Sequence, residues 1–367
     1  MVTPLRELVR PRPQEADGAF RAGYGTYYRW LTWLADPQRR GQPPLAAIST
    51  RQVRMLTSEA ERHGVLPAVL RALTDLDRTT GPITILRAEN DRTAHFALRA
   101  VIEDAHVKVV RQVGLAELLR HVQSEIVADL KARGIPVMVI KGSTFADSLY
   151  PDPVLRPFTD IDLLVSERDA ASAGEVLIAA GLKREARSGS KHGDRYAEEK
   201  WSHPVLGRYP VELHWDLLPS PKLRRAISIS LEDLASLSSR APVTSLLLIA
   251  AIHGAAGHGF ENLRQVIDVV QAARRAAGFF DPAPLLELAE RTNSRAAIVS
   301  ALLVAGRILN DPDCKNLAEM IGIGRSDRFL AKLLSPEVVL WNYGPSRAWR
   351  SWRRQAFREA LVWLSRN

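Results

Sequence analysis

Apolar residues recur at helical spacing through residues 27–34 and 59–70, and from 91 to 133 only Gly114 interrupts a helical pattern. The last stretch is predicted to form two long helices. The pattern then changes. Between 134 and 217 short β-branched runs alternate with helical segments, and the runs end in Gly, Pro or Ser. Gly134-Ile135-Pro136-Val137-Met138-Val139-Ile140 reads as a strand that stops at Lys141-Gly142-Ser143 and feeds a short helix ending before Pro151. Residues 155–165 hold an apolar strand, and a helix is expected from Ser166 to Gly181, its start capped by Ser166. Residues 186–194 read as a flexible loop, and a turn at Gly207-Arg208 leads into a further strand. After Pro219 the chain turns helical to its end, with breaks at Asp281-Pro282 and Asp311-Pro312-Asp313. The expected fold class is α+β: a small mixed sheet at 131–220, flanked by an N-terminal helical region at 1–130 and a C-terminal helical domain at 221–367.

The densest chemistry lies in Arg156-Pro157-Phe158-Thr159-Asp160-Ile161-Asp162-Leu163-Leu164-Val165. Side chains alternate along a strand, so Asp160 and Asp162 share one face, roughly 7 Å apart, with Ile161 and Leu163 on the other. Two aligned carboxylates repel unless a cation lies between them, and hard divalent cations take such oxygen ligands. An isolated Asp-x-Asp is more often a solvated turn, so the flanking segments matter. Upstream, a strand that passes through Gly142 and Ser143 into a helix start lets the backbone approach an anion. Lys141 adds a charge and Ser143 a hydroxyl, although the same pattern also serves as ordinary capping. Downstream, Val211-Glu212-Leu213-His214-Trp215 puts Glu212 and His214 on one strand face. Glu212 beside Asp160 and Asp162 makes a three-carboxylate site.

Taken together, Lys141-Gly142, Tyr150-Pro151, Arg156-Pro157, Asp160-Ile161-Asp162-Leu163-Leu164-Val165, Glu212-Leu213-His214-Trp215 and His253-Gly254 resemble a bacterial family of uncharacterised nucleotidyltransferases. That family looks like part of the DNA polymerase β-like superfamily. The resemblance covers about residues 130–275. A glutamate stands at 212 where the pattern also allows aspartate. It implies a nucleotidyltransferase core and metal-dependent transfer of a nucleoside monophosphate from a nucleoside triphosphate, ATP by default, to a hydroxyl or phosphate of an unknown acceptor. It also implies two Mg2+ or Mn2+ ions held by Asp160, Asp162 and Glu212, with Glu212 able to take the acceptor's proton. Gly142 and Ser143 would cradle the triphosphate, and Lys141 and Arg156 would supply cations to it. Arg156 has a second reading, as the partner of a carboxylate in the triad. His214, His253 or His258, and Asp268 are the candidates to line the cleft that the helical domain would close over the base and sugar. Arg264 and Asp268, spaced i, i+4, may alternatively pair with each other on one helix, and the α-helical spacing of His253 and His258 puts them on different faces.

The remaining features narrow the class. The single cysteine, Cys314, excludes an internal disulfide and a four-cysteine zinc site. No apolar run reaches the length of a membrane span, and Met1-Val2-Thr3-Pro4-Leu5-Arg6 lacks a signal-peptide core, so a cytoplasmic protein is expected. A net charge of +9 suits an acidic substrate. Nucleic acid is not the favoured acceptor, because no dedicated binding module is present. A small molecule or peptide is favoured. The alternatives are a transfer-RNA-modifying toxin and a non-catalytic nucleotide-binding protein. The final helix mixes Trp349, Trp352 and Phe357 with arginines and is expected to dock its aromatic face and expose its charges.

Overall fold

A computed structural model describes residues 17–44, 49–80, 92–185, 196–340 and 347–365. The signal-peptide reading at Met1–Arg6 and the loop expected at 186–194 lie outside these residues. Four helices come first: α1 (Asp17–Ala35), α2 (Thr50–Arg62), α3 (Leu66–Thr80) and α4 (Arg92–Ala132). The mixed region follows: β1 (Val137–Val139), α5 (Ser143–Leu149), β2 (Ile161–Val165), α6 (Ala170–Ala179), β3 (Lys183–Arg184), β4 (Glu198–Ser202) and β5 (Pro210–His214). Helices then run to the end: α7 (Pro221–Arg224), α8 (Leu231–Arg240), α9 (Pro242–Ala251), α10 (Leu263–Ala276), α11 (Pro282–Arg291), α12 (Arg295–Leu309), α13 (Pro312–Ile321), α14 (Arg325–Leu333), α15 (Pro336–Leu340) and α16 (Arg347–Leu364). The molecule is mostly helical with one five-stranded mixed sheet, an α+β arrangement.

Local chemistry explains most boundaries. Ser49 with Gln52, Ser230 with Asp233 and Asn262 with Gln265 close capping boxes at the starts of α2, α8 and α10. Asp281 and Asp311 cap α11 and α13, and the prolines after them start each helix where no N–H is needed. Two expectations fail. The helical pattern of residues 59–70 is split between α2 and α3, because Gly64 takes a φ of +68° and turns the chain. The region expected to hold two helices is a single 41-residue helix, α4. A glycine inside a helix costs about 1 kcal/mol, and packing along both halves of α4 outweighs it. Val101 and Ala105 join one core, and Leu119, Val122, Ile126 and Leu130 join another.

The sheet order is β1-β2-β5-β4-β3, with β2 and β5 parallel and the other pairs antiparallel. All five residues of β2 are buried, because both faces of the sheet are covered. Ile161, Leu163 and Val165 pack with α4 and α6 in the smaller core. Leu164 points the other way, into a larger core that runs from Tyr27 in α1 to Val362 in α16. Asp162 shares that second face, so the carboxylates look toward the helices rather than toward open solvent.

His63, at the C-terminus of α2, ties the N-terminal helices to α10. It is 1% exposed, and its Nδ1 accepts the Leu263 N–H at 3.0 Å. Burial, followed by the adjacent Arg62 guanidinium, pulls the imidazole down to about 3. The unfolded chain takes up this proton near pH 6.5 and the folded one only near 3. The contribution is therefore complete above about 6.5 and is lost as the pH falls toward 3, by on the order of 5 kcal/mol at the limit. Urea midpoints measured from pH 7 to 4 should fall steeply in the wild type and more gently in His63→Gln, whose side chain carries no titrating proton. Parallel slopes would remove His63 as the cause.

Candidate active site

The parallel pairing of β2 with β5 sets Asp162 directly opposite Glu212 and Leu164 opposite His214. The strand alternation that placed Glu212 and His214 on one face therefore brings both to Asp162. His214 Nε2 lies 3.2 Å from Asp162 Oδ1 and 3.6 Å from Glu212 Oε2. All three residues are buried. Among the described residues they form a group whose ligand atoms lie within 4.8 Å of one another, a donor set of two carboxylate oxygens and one imidazole nitrogen. Asp160 stands one residue before the first residue of β2, is half-buried, and is not part of that group. Its electrostatic field still reaches the group. Burial, then repulsion from Asp162, holds its carboxyl above the usual range, with Lys141 and Arg264 partly offsetting this.

Cations balance these carboxylates. Lys141, just beyond β1, puts its Nζ 2.7 Å from Asp162 Oδ1. On the other side of β5, antiparallel β4 sets Lys200 opposite Glu212 and Glu198 opposite His214. The Lys200 ammonium donates to Glu212 Oε1. Burial alone would lower the His214 imidazole, but its hydrogen bonds to Asp162 and Glu212 outweigh that and push it up to about 9. Four carboxylates (Asp160, Asp162, Glu198 and Glu212), two ammonium groups and one imidazole thus share one small volume. The Asp162 carboxyl is held far below its ordinary range, its burial being more than offset by Lys141 and by His214.

The turn beside this cluster is held from three directions. Gly142 has a φ of +52°, which favours glycine, and a Cβ there would meet the Phe158 ring at 3.4 Å. Ser143 Oγ donates to Gln123 Oε1 of α4 at 2.9 Å. The third restraint is Arg156, whose Nη1 donates to the Gly142 carbonyl at 3.2 Å. The rest of the Arg156 guanidinium is bidentate on Asp268, at 2.8 and 2.9 Å, and Tyr150 Oη donates to the same carboxylate at 2.8 Å. Arg156 therefore partners Asp268 of α10 and not a carboxylate of the triad. Nor do Arg264 and Asp268 pair, because Arg264 Nη1 donates instead to the Pro157 carbonyl at 2.9 Å.

The His253-Gly254 segment differs from its expected α-helical form. After α9 the chain widens into a π-helical turn, Ile252–His258, and the extra residue per turn brings His253 and His258 together, with ring centroids 4.5 Å apart. Gly254 is required there, because a Cβ would sit 2.7 Å from the Phe260 ring. His253 feels Lys141, Asp162 and Arg156. Burial and then the Lys141 charge depress its imidazole well below the ordinary value. The arginines of α16 are not simply displayed. Arg354 donates to the carbonyls of Gly259, Phe260 and Val338, and Arg358 to that of Gly257, so α16 clamps the end of the π turn. Phe357 is buried as expected, whereas Trp352 is 60% exposed.

Lys200, Glu198 and Gln123 were not singled out by sequence reasoning. Glu198-Glu199-Lys200 are three consecutive charges with no apolar alternation, so nothing local marked them as a strand or said which strand lies beside them.

A family model described as an uncharacterised nucleotidyltransferase matches residues 49–310, most of the chain. This protein belongs to that family. No curated protein and no solved structure matches the chain. Membership makes nucleotidyl transfer the activity class of this nucleotidyltransferase and a nucleoside triphosphate its implied substrate. No helix among its described residues is long and apolar enough to cross a membrane.

Proposed function

We propose that this protein moves a nucleoside monophosphate from a nucleoside triphosphate to a hydroxyl or phosphate of an acceptor, releasing pyrophosphate, with divalent cations held at Asp160, Asp162 and Glu212. The observation that carries this reading is the register of β2 and β5, which sets Asp162 against Glu212 beside the Gly142-Ser143 turn. Mg2+ or Mn2+ bound by such carboxylates supplies charge neutralisation for the phosphoryl oxygens.

The chain's own groups do the rest. The acceptor oxygen attacks the α-phosphorus, the bond from that phosphorus to its bridging oxygen breaks, and pyrophosphate leaves with the electron pair. Glu212 takes the acceptor's proton. Gly142 and Ser143 hold the triphosphate, and Lys141 lends a positive charge beside them. Arg156 acts indirectly, by fixing the Gly142 carbonyl. Placing and neutralising the reactants provides most of the acceleration.

A small molecule or peptide is the favoured acceptor. Basic charge is the argument for RNA, and the share of it on α16 is weakened because Arg353, Arg354 and Arg358 donate to backbone carbonyls of the protein itself. The test incubates wild type and Asp160→Asn with each α-labelled nucleoside triphosphate, Mg2+ or Mn2+, and cellular fractions of small metabolites, peptides and RNA. Label entering one fraction with wild type only supports the reading and names the acceptor class. Tight nucleotide binding with no transfer to any fraction favours a non-catalytic protein. No nucleotide binding at all rejects the proposal.

A further inference from the structure

We propose that Asp162, Glu212 and His214 form a mixed nitrogen–oxygen site that takes a first-row divalent metal such as Mn2+ in preference to Mg2+, with Glu198 orienting the imidazole. This rests on the reading that the site holds a metal. It adds an imidazole to the carboxylate ligands of that reading, with Asp160 outside the compact group that Asp162, Glu212 and His214 form.

Three observations support it independently. His214 is 3% exposed, and Nε2 is the ring nitrogen turned toward both carboxylates, at 3.2 and 3.6 Å. Asp160, by contrast, stands outside the group whose ligand atoms fall within 4.8 Å. The other ring nitrogen, Nδ1, is buried with no hydrogen-bond partner, and Glu198 Oε2 lies 3.8 Å from it. That distance is too long for a hydrogen bond, yet Nδ1 faces the kind of group that a ligating histidine needs, a carboxylate to receive its second N–H.

The placement is set by backbone pairing rather than by side-chain chance. His214 is opposite Leu164 on one side and Glu198 on the other, so the register fixes its Cα beside the group, on the face it shares with Asp162 and Glu212. Imidazole is a good ligand for first-row transition metals, whereas Mg2+ takes oxygen donors and keeps its waters. Adding an imidazole ligand therefore shifts the preference away from Mg2+.

The decisive measurement is electron spin-echo spectroscopy of the full-length protein loaded with Mn2+, prepared with natural-abundance and with 15N-labelled histidine. A nitrogen coupling should appear, change to the 15N pattern on labelling, and vanish in His214→Gln. In titrations, His214→Gln and Glu198→Gln should each bind Mn2+ about tenfold more weakly, while Mg2+ binding changes far less. Bound Mn2+ with no nitrogen coupling, or a coupling that survives in His214→Gln, overturns the mixed site and leaves the nucleotidyl-transfer reading standing. Absence of any Mn2+ or Mg2+ binding overturns the metal-dependent reading together with it. If His214→Gln does not fold, the labelled wild type still decides.

Discussion

Asp162→Asn should lower nucleotidyl transfer about a thousandfold or more and also destabilise the fold, whereas Asp160→Asn should lower transfer comparably without loss of stability. The two aspartates are two residues apart, yet their surroundings are opposite. Asp162 is 1% exposed at its side chain and engages Lys141 at 2.7 Å and His214 at 3.2 Å. An amide at that position leaves two buried cations without their shared counter-charge, a loss on the order of 3–5 kcal/mol. At Asp160 burial and the neighbouring Asp162 hold the carboxyl above its usual range. The folded state there favours the uncharged form, so ionisation at neutral pH costs stability and a neutral amide relieves it. Urea unfolding of both variants, beside the labelled-nucleotide assay, tests the pair. Equal stability losses, or near-wild-type transfer by either variant, would contradict this account.

Asp268→Asn should cost about 3–5 kcal/mol of stability, the loss that follows from removing one partner of a buried ion pair. Arg156 and Asp268 are 4% and 2% exposed, and the variant leaves the guanidinium buried against an amide. Replacing both, as Arg156→Met with Asp268→Leu, should recover part of that stability, because an apolar pair avoids the desolvation of two charges while the buried Tyr150 hydroxyl loses its acceptor. Transfer should stay low in the double variant. Arg156 Nη1 would no longer hold the Gly142 carbonyl, now 3.2 Å away, and the turn beside the carboxylates would lose its restraint. The defect should appear in kcat more than in KM, because the turn positions the substrate for reaction. Full recovery of transfer in the double variant would assign the pair to stability alone.

Much of the site was legible in the chain before its fold was known. Asp160 and Asp162, the Gly142-Ser143 turn, and the shared face of Glu212 and His214 all follow from local rules. A strand repeats every two residues, and a strand running into glycine and a helix start has few other conformations. The helix starts at Pro282 and Pro312 were equally readable, because capping is decided within one turn of chain. Errors arose where a small local preference was overridden. Gly114 did not break α4, since packing on both of its halves exceeds the cost of one glycine. The His253 turn became π-helical because the Phe260 ring and the α16 arginines hold a backbone whose sequence periodicity is almost that of an α-helix.

What the sequence by itself determined is therefore which residues carry the chemistry and which face of its own element each one takes. Only the tertiary structure decided which elements are neighbours. The pairing of β2 with β5 joins Asp162 to Glu212 across forty-nine intervening positions, and β4 brings Lys200 and Glu198 to the same site. The pairing of Arg156 with Asp268 rather than with a triad carboxylate has the same origin. Alternation along a strand specifies a face but carries no label for the strand beside it. That choice is made by the cores on the two sides of the sheet, where burial of residues far apart in the chain outweighs any local preference.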